Sequence, residues 1–581
     1  MDKVPTYRLL GRFALWFLLA AWGSRTAAQS PTPDRRGAQG PVVLRTTTRL
    51  VQINVIVHDK KGKPVEGLKK EDFTILDQGK EEQVAVFSAN SGSVSDRGAL
   101  PDLPANVFSN RGGTAAANPG SVTVILFDAL NTPIHEQLYA KQQILKFLSQ
   151  IQPQDHVAIY VLTTKIIVLN DFTHDSRLLL KAIQEFSGSA SPYQYVSGSG
   201  TNPPDQRNPP GPVPGADLVG SRLRKFFDAA DDKINDFEDV NRAEATTSAI
   251  EAIANHVAQI PGRKSLIWVS SGFPIDIGFD AETLFEPGQE HRTFTVEVQR
   301  ATRALNQANM AIYPVDARGL TADSHYGGAN SNPFNPRLPT GNIGIALGNR
   351  YTMNLLADRT GGKAFYNTND IEGSVRRAIG EGQFSYTLGF YPTHGQWDGK
   401  FHRLSVYVNE KGLRLRHREG YLALPDPLIG PQENMAALGA AINSPVEWTN
   451  LSLKITLKAF NPSARTLDLL VGLDGHELFL SSKEDRWIDS LHLIFGQLGK
   501  EDKIITSGEE TLRLKLKPET YAGILQNEVK FNARLTVLRD VVSLRVIAQD
   551  NGSGAIGTLT VPIEKYLEME SARNQPAPEN P

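Results

Sequence analysis

The chain has 581 residues, a formal net charge of −2, 40% hydrophobic and 21% charged residues, and no cysteine. That length exceeds what one hydrophobic core organises, so several domains are expected. Lys and Arg are scattered without a basic stripe, which argues against a nucleic-acid partner, and the lack of thiols excludes disulfide staples and a cysteine-borne lipid anchor.

In chain order, Lys3, Arg8 and Arg12 precede an apolar run from Phe13 to Trp22, and Thr26-Ala27-Ala28 supplies small residues before Gln29. This is the layout of a secretory signal peptide over residues 1–28. The run is about half the ~20 residues a spanning helix needs, so a secreted or periplasmic protein with no stable membrane insertion after cleavage is expected. Residues 29–43, rich in Pro, Gly, Gln and Arg, read as a flexible leader.

Residues 44–90 form an N-terminal β module. Val51, Ile53, Val55 and Val57 alternate with Gln52, Asn54 and His58, the period of a strand with one buried face. Asp59-Lys60-Lys61-Gly62 and Asp77-Gln78-Gly79-Lys80 supply turns. The module is too small to stand alone. Residues 91–120 read as a linker.

Over residues 121–382 strands alternate with helices. SVTVILFD is a run buried on both faces, the helix after it sets Ile144, Leu145, Leu148 and Ile151 on one side, and SLIWVSS and AIYPVD continue the series. The fold class expected is α/β, a doubly wound, mostly parallel, Rossmann-like sheet flanked by β-sandwich domains, with loop insertions at 187–220 and 319–345. Strands over 383–425 are expected to complete the N-terminal module. Residues 433–565 carry strands at regular spacing, as in a β-sandwich, and residues 566–581 read as a disordered tail.

The chemistry concentrates at the end of SVTVILFD. Open α/β sheets place ligand sites at the C-terminal ends of their strands, so Asp128, Asn131 and Thr132 stand where a divalent cation or an acidic partner group would be held. The structural alternative is that Asp128 and Thr132 cap the following helix. Gly552-Ser553-Gly554-Ala555-Ile556-Gly557 fits a dinucleotide-loop pattern but opens a strand rather than a helix, which makes it a β-turn. The chain has no HExxH, no phosphate loop and no GxSxG elbow, and Asp231-Asp232 reads as solvated surface.

VHDKKGKPVEGLKKEDFTILDQGK, ILFDALNT, PGRKSLIWVSSGFP, YPVDARG, ADRTGGKAF and YTLGFYP, in that order from about residue 45 to 423, resemble the acidobacterial VWFA-related family of von Willebrand factor type A domain proteins. The resemblance implies a magnesium site built from three loops: Asp-x-Ser-x-Ser, then a Thr, then an Asp followed by Gly. Here Asp128 matches, Thr132 keeps a hydroxyl and Leu130 has none. Thr246 or Thr247 stands at the second loop, the residues not choosing between them, and Ser271-Gly272 stands at the third, where the family carries a carboxylate. Asp128, Thr132, Thr247 and Ser271 are thus the metal ligands implied, with Asn131, Asp276 and Asp316 as neighbouring binding groups. The function implied is protein binding or adhesion through a degenerate metal-dependent site, with an unidentified protein partner and no catalysis. An envelope assembly or scaffolding factor without a metal is the alternative, and a hydrolase is a third.

Overall fold

The computed structural model describes residues 50–573 except 92–102, 112–120, 153–154, 189–237, 239, 261, 273–275, 278–291, 320–339, 383, 394–396, 399, 424–430, 484 and 526. The expected signal peptide and leader, the 187–220 insertion from residue 189 on, and Asp231-Asp232 lie outside the described residues.

Two four-stranded antiparallel sheets combine the N-terminal strands with those after the α/β segment. In one, the order is Arg414–Arg416, Val51–His58, Phe384–Phe390, Val86–Ser91; in the other it is Gly420–Leu422, Phe401–Val408, Phe73–Asp77, Lys80–Glu82. The alternating Val51, Ile53, Val55 and Val57 face inward and meet Ile75, Tyr386, Leu388, Phe390, Leu404 and Val406 in one core. The chain leaves this sandwich at Ser91 and returns at Phe384.

Between those points lies a five-stranded sheet in the order Met310–Asp316, Arg263–Ser270, Ser121–Asp128, His156–Leu162, Ile166–Thr173. The first four are mutually parallel and the last is antiparallel. Successive side chains enter opposite layers. Val124, Leu126, Leu266 and Trp268 pack with the 240–256 helix, through Ile250 and Ile253, and with Val298, Leu305, Met353 and Leu356. Ile125, Phe127, Ile267 and Val269 pack on the other side with Ile144 and Phe147 of helix Ile134–Leu148, Leu179 and Ile183 of Ser176–Glu185, and Val375 of Ile371–Gly382. Burial on both faces accounts for the unbroken apolar runs. Of the expected 319–345 insertion, residues 340–345 belong instead to helix Thr340–Thr360.

The C-terminal region is a second sandwich. One sheet runs Glu528–Thr536, Thr466–Asp474, Leu453–Asn461, Val107–Ser109; the other runs Ser481–Lys483, Arg486–Leu498, Ser543–Asp550, Ile556–Pro562, with Ile504–Leu516 also pairing on Arg486–Leu498. Val107–Ser109 corrects the linker reading of 91–120. Its neighbour Asn110 is buried, donates to the carbonyls of Trp448 and Leu451 at 2.9 Å each, and accepts from Leu453 N at 2.7 Å. Three satisfied bonds inside the sandwich outweigh the polar composition that made this stretch look like linker. The chain also continues as helix Glu564–Arg573, with Leu567 in the sandwich core, where a disordered tail was expected from residue 566.

The sandwich is not hung on the α/β region by a tether. Leu438, Ala441, Trp448, Ile547 and Ile556 belong to the same hydrophobic cluster as Trp268 and Ile253.

Candidate functional site at the sheet edge

Asp128 ends the central strand at its C-terminal edge. Strand parity turns its side chain toward the same layer as Leu126 and Trp268, not outward along the strand axis. The residue is 0% exposed. Its Oδ2 accepts hydrogen bonds from Asn131 Nδ2 at 2.7 Å, Ser270 Oγ at 2.7 Å and Trp268 Nε1 at 3.0 Å, and its Oδ1 accepts from Asn131 N at 3.0 Å. Burial pushes the carboxyl above the ordinary carboxylate range, and the donors Asn131, Ser270 and Trp268 hold it down against that.

The surroundings extend this network, in which Asn131 Oδ1 and Asn349 Oδ1 are buried without a hydrogen-bond partner among the described residues. Asn131 Nδ2 also reaches Thr246 Oγ1 at 2.7 Å, while Thr246 Oγ1 donates to Arg242 O at 2.7 Å. Thr247 Oγ1 turns back into its own helix and donates to Ala243 O at 2.8 Å. Of the two threonines, therefore, Thr246 faces the knot. Thr132 is buried and its Oγ1 accepts from Ser271 N at 3.3 Å. Ser271 Oγ donates to Glu136 Oε2 at 2.6 Å, and Ser270 Oγ accepts from Gly272 N at 2.8 Å. Helix Thr340–Thr360 lies over this loop, with Asn349 Nδ2 donating to Ser271 O at 2.9 Å and Gly272 O at 3.2 Å. Gly272 has φ +79°, and a Cβ there would come within 3.1 Å of Asn349 Cβ and 3.2 Å of Met353 Cε, so turn and close approach both require glycine.

The helix-capping alternative fails on geometry. Helix Ile134–Leu148 has Pro133 at its N-cap, with no side-chain cap, and Gln137 Nε2 ties back to Ala129 O and Thr132 O. Pro133 supplies the turn conformation that a capping side chain would otherwise stabilise.

Asp316 lies beside this network, Ala317 N donating to Ser270 O at 3.0 Å, but has its own partner. Arg318 Nε and Nη2 clamp Asp316 Oδ1 and Oδ2 at 2.9 and 2.7 Å, so that carboxylate is already matched by a guanidinium. Asp276 belongs to a short antiparallel pair with Arg292–Thr293, and its side chain lies outside the described ones.

A magnesium ion needs a compact set of oxygens with lone pairs free to face it. The groups around Asp128 do not fit that demand. Three of its four donors are amide and indole N–H groups whose hydrogens would face the cation. Leu130 is buried and apolar at a hydroxyl position, and Ser271 Oγ is engaged with Glu136. Among the described residues, no group of three or more His, Asp or Glu side chains is placed to hold a metal. Trp268, Ser270, Asn349 and Glu136 were not among the residues expected here. The period-two alternation of SLIWVSS, which sets Trp268 and Ser270 on one face, was the available signal.

The dinucleotide-like glycines 552–557 sit in the turn between strands Ser543–Asp550 and Ile556–Pro562 and in the start of the second strand.

No family model matches the chain, and no curated protein matches it. Among solved structures it is similar to an aerotolerance-related membrane protein from Bacteroides fragilis, at 11% identity over 45% of this chain and 98% of that one, with a TM-score of 0.22. It is also similar to the conserved hypothetical protein BatB from Bacteroides thetaiotaomicron, at 12% identity over 45% and 96%, TM-score 0.22. A third is the vWF domain of the type V pili tip protein Mfa5 from Porphyromonas gingivalis, at 11% identity over 45% and 95%, TM-score 0.24. Likeness at this level assigns neither a family nor an activity.

Proposed function

We propose that the chain is a secreted or periplasmic, non-catalytic assembly or scaffolding protein that binds protein partners without a cation at Asp128. On this reading its α/β domain is a von Willebrand factor type A-like domain, a sheet wound by helices on both faces, whose metal site has become a structural pin. The observation that carries the proposal is the Asp128 carboxylate, fully buried and satisfied by four protein donors. In that setting N–H and O–H dipoles stabilise the charge in place of a metal ion. Lys3, Arg8 and Arg12 before the apolar run of residues 13–22 support export, and among the described residues no helix is long and apolar enough to cross a membrane.

Calorimetry of the purified chain with magnesium or manganese tests the metal-free reading. No binding heat is expected at millimolar metal. A saturable heat that disappears in Asp128→Ala would overturn it and restore the cation-dependent adhesion reading. Turnover in a broad hydrolase screen would overturn the non-catalytic part.

A further inference from the structure

The C-terminal sandwich carries one edge strand unlike the others. Ile504–Leu516 is 13 residues long, about 44 Å at the usual rise, and pairs only with Arg486–Leu498 among the described residues. Four other edge strands are cut short, Val107–Ser109, Lys80–Glu82, Arg414–Arg416 and Gly420–Leu422 having three residues each, while the edges Val86–Ser91, Ile556–Pro562 and Ile166–Thr173 have six, seven and eight. Brevity of that kind is how sheets prevent unwanted pairing. The second long edge, Glu528–Thr536, already spends its charges within its own sheet, in the pairs Lys454–Glu528 and Asp468–Arg534.

In Ile504–Leu516, Ser507 to Thr511 are exposed throughout, and Glu509 meets His492 of the neighbouring strand at 3.1 Å, a contact that leaves its carboxylate at the surface. Leu512, Leu514 and Leu516 face the sandwich core, so Glu509, Thr511, Arg513 and Lys515 share the outer face. Charge is segregated along the strand, with Glu509 and Glu510 in one half and Arg513 and Lys515 in the other. Guard residues on an edge repel a second copy. This order of signs does the opposite for an antiparallel copy, because acidic and basic halves come to lie opposite each other.

We propose that two copies of the chain associate by antiparallel addition of their Ile504–Leu516 strands, about a two-fold axis at Thr511 or Leu512. Keeping both cores on one side of the joined sheet restricts the register to those in which outer-face residues oppose outer-face residues. About Thr511, Glu509 opposes Arg513 of the second copy; about Leu512, it opposes Lys515. Symmetry makes each pair twice, and parallel addition would set like charges together.

Sedimentation of the full chain at about 100 µM, well above a Kd on the order of 10 µM suited to a small interface, should give a dimer that dissociates on dilution and in molar salt. Glu509→Lys alone, and Arg513→Glu with Lys515→Glu, should each be monomeric, with far-UV dichroism unchanged. An equimolar mixture of the two variants should return to a dimer, since the outer face of one edge is then wholly basic and that of the other wholly acidic. A monomeric parent chain, a dimer that survives both reversals, or a mixture that stays monomeric would each overturn the proposal.

Discussion

Deleting the Asp128 carboxylate separates a structural pin from a cation ligand. In Asp128→Ala, Trp268 Nε1 and Asn131 N lose the acceptors they now meet at 3.0 Å each, inside a region where Asp128, Trp268 and Ser270 are all 0% exposed. Asn131 Nδ2 keeps Thr246 Oγ1, and Ser270 Oγ keeps Gly272 N, so these two groups lose one bond and retain another. A stranded buried donor costs about 1–3 kcal/mol, while relief from burying a carboxylate works in the opposite direction. A net loss of about 3 kcal/mol follows, or about 6–12 °C in melting temperature for a cooperative unit of this domain's size. Thermal unfolding with magnesium and with chelator reads the outcome. A pin predicts the same large loss in both. A cation site predicts a wild-type gain of about 2.7 kcal/mol at metal concentrations a hundredfold above Kd, absent from the variant. That pattern, or a variant that melts with the wild type, would refute the reasoning.

Thr246→Val should cost about 1–2 kcal/mol, because Asn131 Nδ2 loses an acceptor, whereas Thr247→Val loses only a bond to its own helix and should cost under about 1 kcal/mol; equal costs in urea unfolding would count against the assignment of Thr246 to the knot. Asn110→Ala removes three buried hydrogen bonds and should lower stability by about 2–3 kcal/mol in the same assay, a loss that a mere linker would not show. Burial, with the Asp550 carboxylate beside it, pushes Asp489 up to about 7 from 3.8. Between those values the folded chain holds a proton the unfolded chain has released, so this group's contribution to stability falls as pH rises through the window. Asp489→Asn should flatten that part of a melting-temperature series and raise stability above pH 7.

The legible parts of the molecule are those where a period carries the physics. Val51, Ile53, Val55 and Val57 alternate because one face of their strand is buried, and the unbroken run before Asp128 exists because both faces are. The location of Asp128 at a strand end was equally readable. Its orientation was not: whether that carboxylate looks outward or into the Trp268 layer depends on which indole and hydroxyl the neighbouring strand brings alongside, a question of register. Thr246 and Thr247 are about 100° apart on one helix turn, so composition could not say which faces Asn131. Val107–Ser109 escaped notice for a different reason. Three residues set in polar sequence have no period of their own, and their strand character is conferred by Leu453–Asn461.

The 240–256 helix connects the knot to the rest of the chain. About two turns in, Thr246 accepts from Asn131; at the helix's end, the carbonyls of Asn255 and His256 accept from Thr449 Oγ1 at 3.0 Å each, and Asn255 O also accepts from Thr449 N at 2.9 Å. Carbonyls at a helix terminus have no partner within the helix, and here the sandwich region supplies it. The helix spans about 25 Å at 1.5 Å per residue, is packed along Ile250 and Ile253 against Trp268's layer, and shares that layer with Trp448 and Ile547. Movement of the helix at Thr246 would therefore have to break a cap made by a different part of the chain and shear a common core. Cores repack between discrete arrangements rather than deforming gradually. A sheet edge held this way is suited to presenting one fixed surface, which is what a scaffold requires and what a ligand-operated switch at Asp128 would have to overcome.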